Sequence, residues 1–248
     1  DQVDDFDLLL LLGSGTFAQV FLARQKSLDR LVALKIATDK SREPRTLAQL
    51  DHPNIVRVYD QRVLQQGLFR LLYMELVPGG TLQDVILRMG QGQYGANEFL
   101  EQLDEALARV GTAPPVSSIL RRDLADLSWP LVVVHLGAQL ADGLNYAHEK
   151  GVLHRDIKPA NVLLSAEGAP KLADFNISFN AAGGEERPSD TFGGSLAYMS
   201  PEQLRACHAL LEGHVEDVGE ASDIYSLGLV LLELLSGRRV FRQPEGGS

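Results

Sequence analysis

The 248-residue chain has little cysteine, little tryptophan, little basic charge and no long hydrophobic run. A single cysteine, Cys207, excludes an internal disulfide framework and fits a reducing compartment. As a lone small side chain it reads as a packing residue rather than a nucleophile. The longest apolar stretches, such as 8–12 and 131–136, fall far short of the roughly 20 residues that cross a bilayer. No signal-peptide pattern is visible. Lysine and arginine number 23 against 33 acidic residues, giving a net charge of −10, so the basic footprint of a nucleic-acid binder is missing. What is present is an ordinary globular composition, 45% hydrophobic and 23% charged, long enough for one large domain or two lobes around a cleft. No internal repeat is visible.

The chemistry is densest in the stretch His154-Arg155-Asp156-Ile157-Lys158-Pro159-Ala160-Asn161. It lies between a helical run and the apolar strand Val162-Leu163-Leu164. Asp156 can accept a proton from an attacking hydroxyl, Lys158 can hold a phosphate as a point charge, and Asn161 can offer its carbonyl to a metal ion. Those are the parts that phosphoryl transfer needs, because its catalysis is mostly positioning and charge neutralisation. The order resembles the catalytic loop H-R-D-x-K-x-x-N of Ser/Thr protein kinases.

Other motifs extend the resemblance over the whole chain apart from about 40 residues. The run Leu8–Leu12 reads as a strand, followed by Gly13-Ser14-Gly15-Thr16-Phe17-Ala18-Gln19-Val20 and an apolar continuation. Two glycines at a strand end allow a tight turn with exposed N–H groups over phosphates. A strand after the turn, instead of a helix, argues against a dinucleotide fold. The run resembles the kinase Gly-rich loop, with Ala18 in the third glycine's place. Leu31-Val32-Ala33-Leu34-Lys35-Ile36 resembles the kinase V-A-I-K strand, which implies that Lys35 holds the α- and β-phosphates and that Val20 and Ala33 sandwich the adenine. Counting back from His52-Pro53-Asn54-Ile55-Val56, Glu43 matches the residue that pairs with this lysine, only eight residues on. Pro44 follows at once, so a helix is expected from Pro44 to about Leu50. Glu43 then either pairs with Lys35 or caps that helix in solvent. Strands are also expected at Ile55–Tyr59 and Leu68–Leu76. Met74-Glu75-Leu76-Val77-Pro78-Gly79-Gly80 resembles the hinge between kinase lobes, with Met74 as gatekeeper and the backbone of Glu75 and Val77 at the adenine edge. Leu163 is assigned to the nucleotide site by the same resemblance.

A short helix is expected over Thr81–Met89. Residues 90–128 depart from the family and read as an insertion. Within it Asn97–Val110 is predicted as an amphipathic helix with Phe99, Leu103 and Leu107 on one face, an N-cap Asn97 and a closing Gly111; Pro114-Pro115 marks a linker. Surface packing and a partner-docking site are both open roles. A long helix is expected over Leu131–Lys150, closed by Gly151. His154 reads as a packing residue, and Arg155 as a receiver for a phosphate. Asp174-Phe175-Asn176 resembles D-F-G, which implies that Asp174 holds Mg²⁺ with Asn161 and that Phe175 stacks between Leu47 and His154, with Val58 above. The polar stretch 176–199 suggests an activation loop with Ser189 and Thr191 as phosphorylation candidates and Arg155 and Arg187 as receivers. Ser195–Glu202 resembles the peptide-substrate segment, with Ser195 bridging Asp156 and Lys158. An acidic connection is expected over 206–219. A helix then opens at Ser222-Asp223 and ends near Leu235, Asp223 clamping the catalytic loop.

The resemblance implies an α+β, two-lobe protein kinase-like fold: a small antiparallel sheet lobe with one short helix (1–77) and a mainly helical lobe (78–248). The family expected is the bacterial, eukaryote-like (Hanks-type) Ser/Thr kinase, cut short at its C-terminal end. A start at Asp1 and an end at Ser248, before the family's last helices, suggest a fragment. The implied function is transfer of the ATP γ-phosphoryl group to protein Ser or Thr hydroxyls, using Mg²⁺ or alternatively Mn²⁺. Self-association for trans-autophosphorylation and a cytoplasmic location, free or as part of a membrane-anchored protein, are further expectations. The alternative is a pseudokinase scaffold, suggested by the short Lys35–Glu43 gap, Ala18 and Asn176.

Overall fold

Alternation in the strand β4 (Arg30–Thr38) organises the first third of the chain. Successive side chains of a strand point to opposite faces. Val32 and Leu34 therefore face one way, Ala33 and Lys35 the other. A computed structural model describes residues 2–15, 18–38, 50–64, 69–90, 92–175, 196–211 and 218–241. In it β4 is a central strand of an antiparallel sheet formed with β1 (Gln2–Val3), β2 (Phe6–Ser14), β3 (Ala18–Gln25), β5 (Val58–Leu64) and β6 (Phe69–Met74). Their order across the sheet is β1-β2-β3-β4-β6-β5. Each face of β4 builds its own core. Val32 and Leu34 join Phe6, Ala23, Leu71 and Tyr73 on the outer face. On the inner face Ala33 pairs in register with Met74, and Lys35 with Val20 and Leu72. Of the five leucines of β2 only Leu8 packs against the outer-face core. Only Phe6 and Asp7 of this strand pair with β1, and Leu9 to Leu12 remain 40–51% exposed along the edge.

The helical part contains α1 (Leu82–Met89), α2 (Ala96–Arg109), α3 (Ile119–Ala125), α4 (Trp129–Glu149), α5 (Pro201–Leu211) and α6 (Glu220–Ser236), with a two-stranded ribbon β7 (Val162–Leu164) and β8 (Pro170–Leu172) between α4 and α5. Thr81 and Asp84 cap α1 with reciprocal side-chain bonds. Gly151 stops α4: at φ +71° it takes the left-handed conformation that glycine tolerates. Its N–H donates to the His148 carbonyl at 2.8 Å and the Val152 N–H to Ala147 at 2.9 Å. One large core joins α4, α6, α1 and the ribbon through Val132, Leu136, Leu140, Leu144, Val230 and Leu234.

Several sequence expectations shift. The strand expected at Ile55–Tyr59 begins only at Val58. Residues 54–56 bond to β8 instead, Val56 N–H to the Leu172 carbonyl and Leu172 N–H to Asn54, both at 2.8 Å. The insertion helix begins at Ala96, with Gly95 rather than Asn97 at its N-cap. It is core, not surface packing: Phe99, Leu103 and Leu107 are at most 1% exposed. Beyond the two prolines the chain forms α3, capped by the Ser118 hydroxyl, where only a linker was expected. α5 runs on to Leu211, into the stretch read as an acidic connection. α4 begins at Trp129, two residues early, with Pro130 in its first turn. The helix expected from Pro44, and with it Glu43 and Leu47, lies outside the described residues, as do Asn176, Arg187, Ser189, Thr191 and Ser195.

Candidate active site

The inner face of the sheet meets the ribbon across a cleft. Val20, Val77 and Leu163 pack against a cluster of Ala33, Val56, Leu72, Met74 and Ala173. Val20 and Ala33, read from sequence as an adenine sandwich, are thus brought into one apolar patch with Met74, read as gatekeeper, and with Val77 and Leu163, assigned to the same nucleotide site. At its edge the Glu75 N–H is already committed to the Arg57 carbonyl at 2.9 Å. This narrows the reading of the Glu75 backbone to its carbonyl, beside the N–H and carbonyl of Val77.

The β2–β3 hairpin forms the upper wall. Gly13 pairs with Val20, and Ser14 with Gln19; the Gly15 N–H donates to the Ala18 carbonyl at 2.8 Å. Neither glycine has the positive φ that would demand a glycine. A Cβ added at Gly13 would meet nothing within 4 Å. The missing side chains therefore serve neither turn geometry nor internal packing, and they leave the backbone open to a ligand.

The lower wall is the loop after α4. Asp156 is held on two sides: Lys158 Nζ donates to its Oδ2 at 2.7 Å and Asn161 Nδ2 at 2.9 Å. Asn161 Nδ2 also donates to the Asp156 carbonyl at 2.8 Å. With the amide nitrogen so committed, the amide oxygen is the atom of Asn161 that can face a cation. The Ala173 N–H donates to the Asn161 carbonyl at 2.9 Å, placing Asp174 next to it. Lys35 Nζ reaches Asp174 Oδ1 at 3.0 Å across the cleft. Lys35 is mostly buried while the Asp174 side chain is 42% exposed, so the aspartate is the open member of the pair. Partial withdrawal from water would raise the Asp174 carboxyl, but the charge and hydrogen bond of Lys35 hold it below its ordinary value. Carboxylate and amide oxygens form a hard donor set, which fits a divalent ion such as Mg²⁺.

Two residues of this wall have left-handed backbone, Arg155 at φ +64° and Asp174 at +56°. For a bulky residue such as arginine that conformation costs about 1–3 kcal/mol and needs support from its surroundings. Arg155 is clamped from both sides. Its N–H donates to Asp223 Oδ1 at 2.8 Å, and its carbonyl accepts from Gln203 Nε2 at 3.0 Å. Asp223 also accepts from the His154 N–H and meets His148 Nε2, both at 2.8 Å. Burial would raise the Asp223 carboxyl; the bond to His148 and the two backbone N–H groups it accepts bring it below the ordinary value. His154 is fully buried and packs 4.4 Å from the Phe175 ring. Burial lowers its imidazole despite the nearby Asp223 and Asp156. Its Nδ1 accepts from the Asp156 N–H at 3.3 Å. His154 is a packing residue, as the sequence suggested, and Phe175 stacks on it with Val58 against the same core.

Sequence reasoning missed Gln203, His148 and Lys171. Lys171 Nζ lies 2.9 and 3.0 Å from the two carboxylate oxygens of Glu75. It also missed the Tyr198–Glu233 bond, 2.9 Å long, in which burial and the carboxylate push the phenol upward. Glu202 accepts from the Ser222 hydroxyl at 2.6 Å. In each case the partner stands at least 35 residues away, or 20 for Ser222, and no local motif announces it.

The sequence is similar to that of known proteins over nearly its whole length. The protein kinase domain family matches residues 6–248. The chain is 32% identical over 253 residues to the serine/threonine-protein kinase PknB of Mycobacterium leprae, covering 96% of this chain and 33% of that protein. It is 30% identical over 258 residues to protein kinase 3 of Dictyostelium discoideum, covering 96% and 23%. A probable serine/threonine-protein kinase of Clostridium perfringens is 29% identical over 243 residues, covering 94% and 29%. The chain therefore spans about a third or less of the length of these relatives. A match over nearly every residue, on a chain whose glycine hairpin, buried lysine and aspartate–asparagine loop meet at one cleft, makes this chain a member of the protein kinase domain family.

Proposed function

We propose that this chain is the catalytic domain of a Ser/Thr protein kinase, with a sheet lobe over 1–77 and a helical lobe over 78–248 closing on MgATP. The observation that carries the reading is the Asp156 carboxylate gripped by Lys158 and Asn161, beside the Lys35–Asp174 pair. In this reading Asp156 orients the substrate hydroxyl and takes its proton. The hydroxyl oxygen bonds to the γ-phosphorus, the bond from that phosphorus to the β,γ-bridging oxygen breaks, and ADP leaves. Lys158 holds the transferring phosphoryl oxygens, Lys35 the α- and β-phosphates, and the Gly13–Gly15 backbone covers them. Asp174 and Asn161 hold Mg²⁺, which supplies charge neutralisation between the phosphates when bound. Such arranged charge is usually the largest catalytic contribution. A scaffold would have no use for Lys35, Asp156, Asn161 and Asp174 together in register.

Serine and threonine as acceptors are supported by Lys158 two residues after Asp156 and by the names of the relatives. Glu43 as the partner of Lys35, two copies phosphorylating one another, and a cytoplasmic place of work belong to the same proposal. No helix among the described residues is long and apolar enough to cross a membrane.

The test is phosphoamino-acid analysis of a mixed Ser/Thr/Tyr peptide library incubated with the domain and MgATP. Phosphoserine or phosphothreonine, abolished in Asp156→Ala, is the expected result. Phosphotyrosine alone, or transfer that survives Asp156→Ala, would overturn the assignment.

A further inference from the structure

The hinge residue Glu75 does two things at once. Its backbone forms the edge of the adenine patch, while its side chain points back to the helical part. Both carboxylate oxygens face Lys171 Nζ at 2.9 and 3.0 Å, and one also accepts the Arg57 N–H at 3.3 Å. The Glu75 N–H returns a 2.9 Å bond to the Arg57 carbonyl. The Lys171 and Glu75 side chains are only 14% and 29% exposed. A charge pair at that depth is screened less by solvent than a surface pair, and it holds its geometry more firmly.

Lys171 sits in β8, three residues before Asp174. β8 is bonded on one side to residues 54–56 through Leu172, and its continuation to Asn161 through the Ala173 N–H. Residues 54–57 lead directly to the Arg57 carbonyl that fixes the hinge. A continuous set of bonds thus runs from Asn161 and Asp174 through β8 and residues 54–57 to Glu75, and the Lys171–Glu75 pair closes it into a ring. The metal-facing end and the base-facing edge are held at one separation.

We propose that the Glu75 carboxylate and Lys171 form a positioning pair that sets the hinge backbone against Asp174, and thereby sets how well the cleft binds adenine. Neither side chain touches the reacting atoms. The Glu75 carbonyl and the Val77 N–H are held where a 6-amino group and its neighbouring ring nitrogen can meet them. A guanine base presents a carbonyl at the first position, so a fixed Glu75 carbonyl repels it. Loosening the pair costs adenine affinity and adenine-over-guanine preference together. This inference rests on the reading of the cleft as an ATP site.

The test compares the parent domain with Lys171→Met, Lys171→Arg and Glu75→Gln, using ATP and GTP as probes in titration calorimetry and in steady-state transfer to a peptide. In Lys171→Met the KM for ATP should rise about tenfold while kcat at saturating ATP stays within about twofold, since ground-state positioning is what is lost. The preference for ATP over GTP should narrow, and Lys171→Arg should recover most of both effects. A purely structural role would lower the melting temperature and move ATP and GTP alike. If Lys171→Met does not fold, Glu75→Gln, which keeps an acceptor for the Arg57 N–H, is read by its ATP and GTP affinities alone, with the same loss for ATP and the same narrowing of preference expected. An ATP affinity within twofold of the parent in the folded variants, or an equal loss for GTP, would overturn the inference. A parent that binds MgATP but transfers nothing overturns the kinase reading alone, because the nucleotide affinities still decide this one. A parent that binds neither nucleotide overturns both.

Discussion

The two walls of the cleft are built in opposite ways. The upper wall is a hairpin whose glycines contact almost nothing and whose strand β2 leaves four leucines largely in solvent. The lower wall is over-determined: Asp156, Asn161, Arg155 and His154 each answer to two or more bonds, and the clamp ends on Asp223, which is 1% exposed. On the proposed kinase reading, the difference follows from what each wall would do. Charges that act in a transition state have to stand in place before the reaction, because reorganising them would raise the barrier. A lid over phosphates needs only backbone N–H groups and empty space, and it has to admit and release its nucleotide.

The contrast can be broken most sharply from below. Asp174→Ala should lower kcat/KM for peptide phosphorylation about 10³-fold, with little change in thermal stability because its side chain is half in solvent. A loss under tenfold would mean that the lower wall is not where the charge is handled. Next comes the clamp. Asp223→Asn keeps the shape but loses the charge and one acceptor, and should cost about 2 kcal/mol in urea unfolding at neutral pH. The aspartate is held below its ordinary 3.8 in the folded protein, so its stabilisation is full above that value and is lost as pH falls through the lowered folded value. The gap between parent and variant should therefore close in acid, and a gap independent of pH would remove the charge from the explanation. On the upper wall, Gly13→Ala should leave stability unchanged or raise it by about 0.4–1 kcal/mol, while the KM for ATP rises several-fold. Reduced stability with normal KM would reverse the argument from the empty space around Gly13. The smallest effect is expected in the insertion. Arg121 bonds to Asp104 at 2.6 Å and to the Ala166 carbonyl in the β7–β8 turn at 2.9 Å. Its partner is partly exposed, so Arg121→Met should cost no more than about 1 kcal/mol by thermal unfolding.

How much of this was legible in the sequence depends on distance along the chain. The lower wall was readable because Asp156, Lys158 and Asn161 lie within one loop, and the loop's chemistry is in its residue types. The strand carrying Lys35 was readable because Leu31–Ile36 is an apolar run that resembles V-A-I-K. The supports were not. Lys171 and Glu75 are 96 residues apart, and His148 and Asp223 are 75 apart; only the folded topology brings them together. The shift of the strand after Ile55 has the same cause, since its apolar residues are drawn to β8 across the cleft and not along their own sheet. Helix α3 could have been found from Ser118 as an N-cap with Leu120 and Leu124 following at helical spacing, but the two prolines before it argued for a linker. The insertion's burial was half visible: the apolar face of α2 was evident, but what it faces was not. Gly168, at φ +93°, shows what it faces, since a Cβ there would press within 3.4 Å of Leu124, Leu103 and Phe99.

The most direct test of the central claim is intact mass after incubation with ATP, with and without Mg²⁺, beside Asp174→Ala. The account predicts phosphate-sized mass gains that require Mg²⁺, on the domain itself or on an added peptide, and that vanish in the variant. A folded protein that binds ATP yet gains no phosphate and transfers none with Mg²⁺ present, or one whose Asp174→Ala variant transfers as well as the parent, would contradict it.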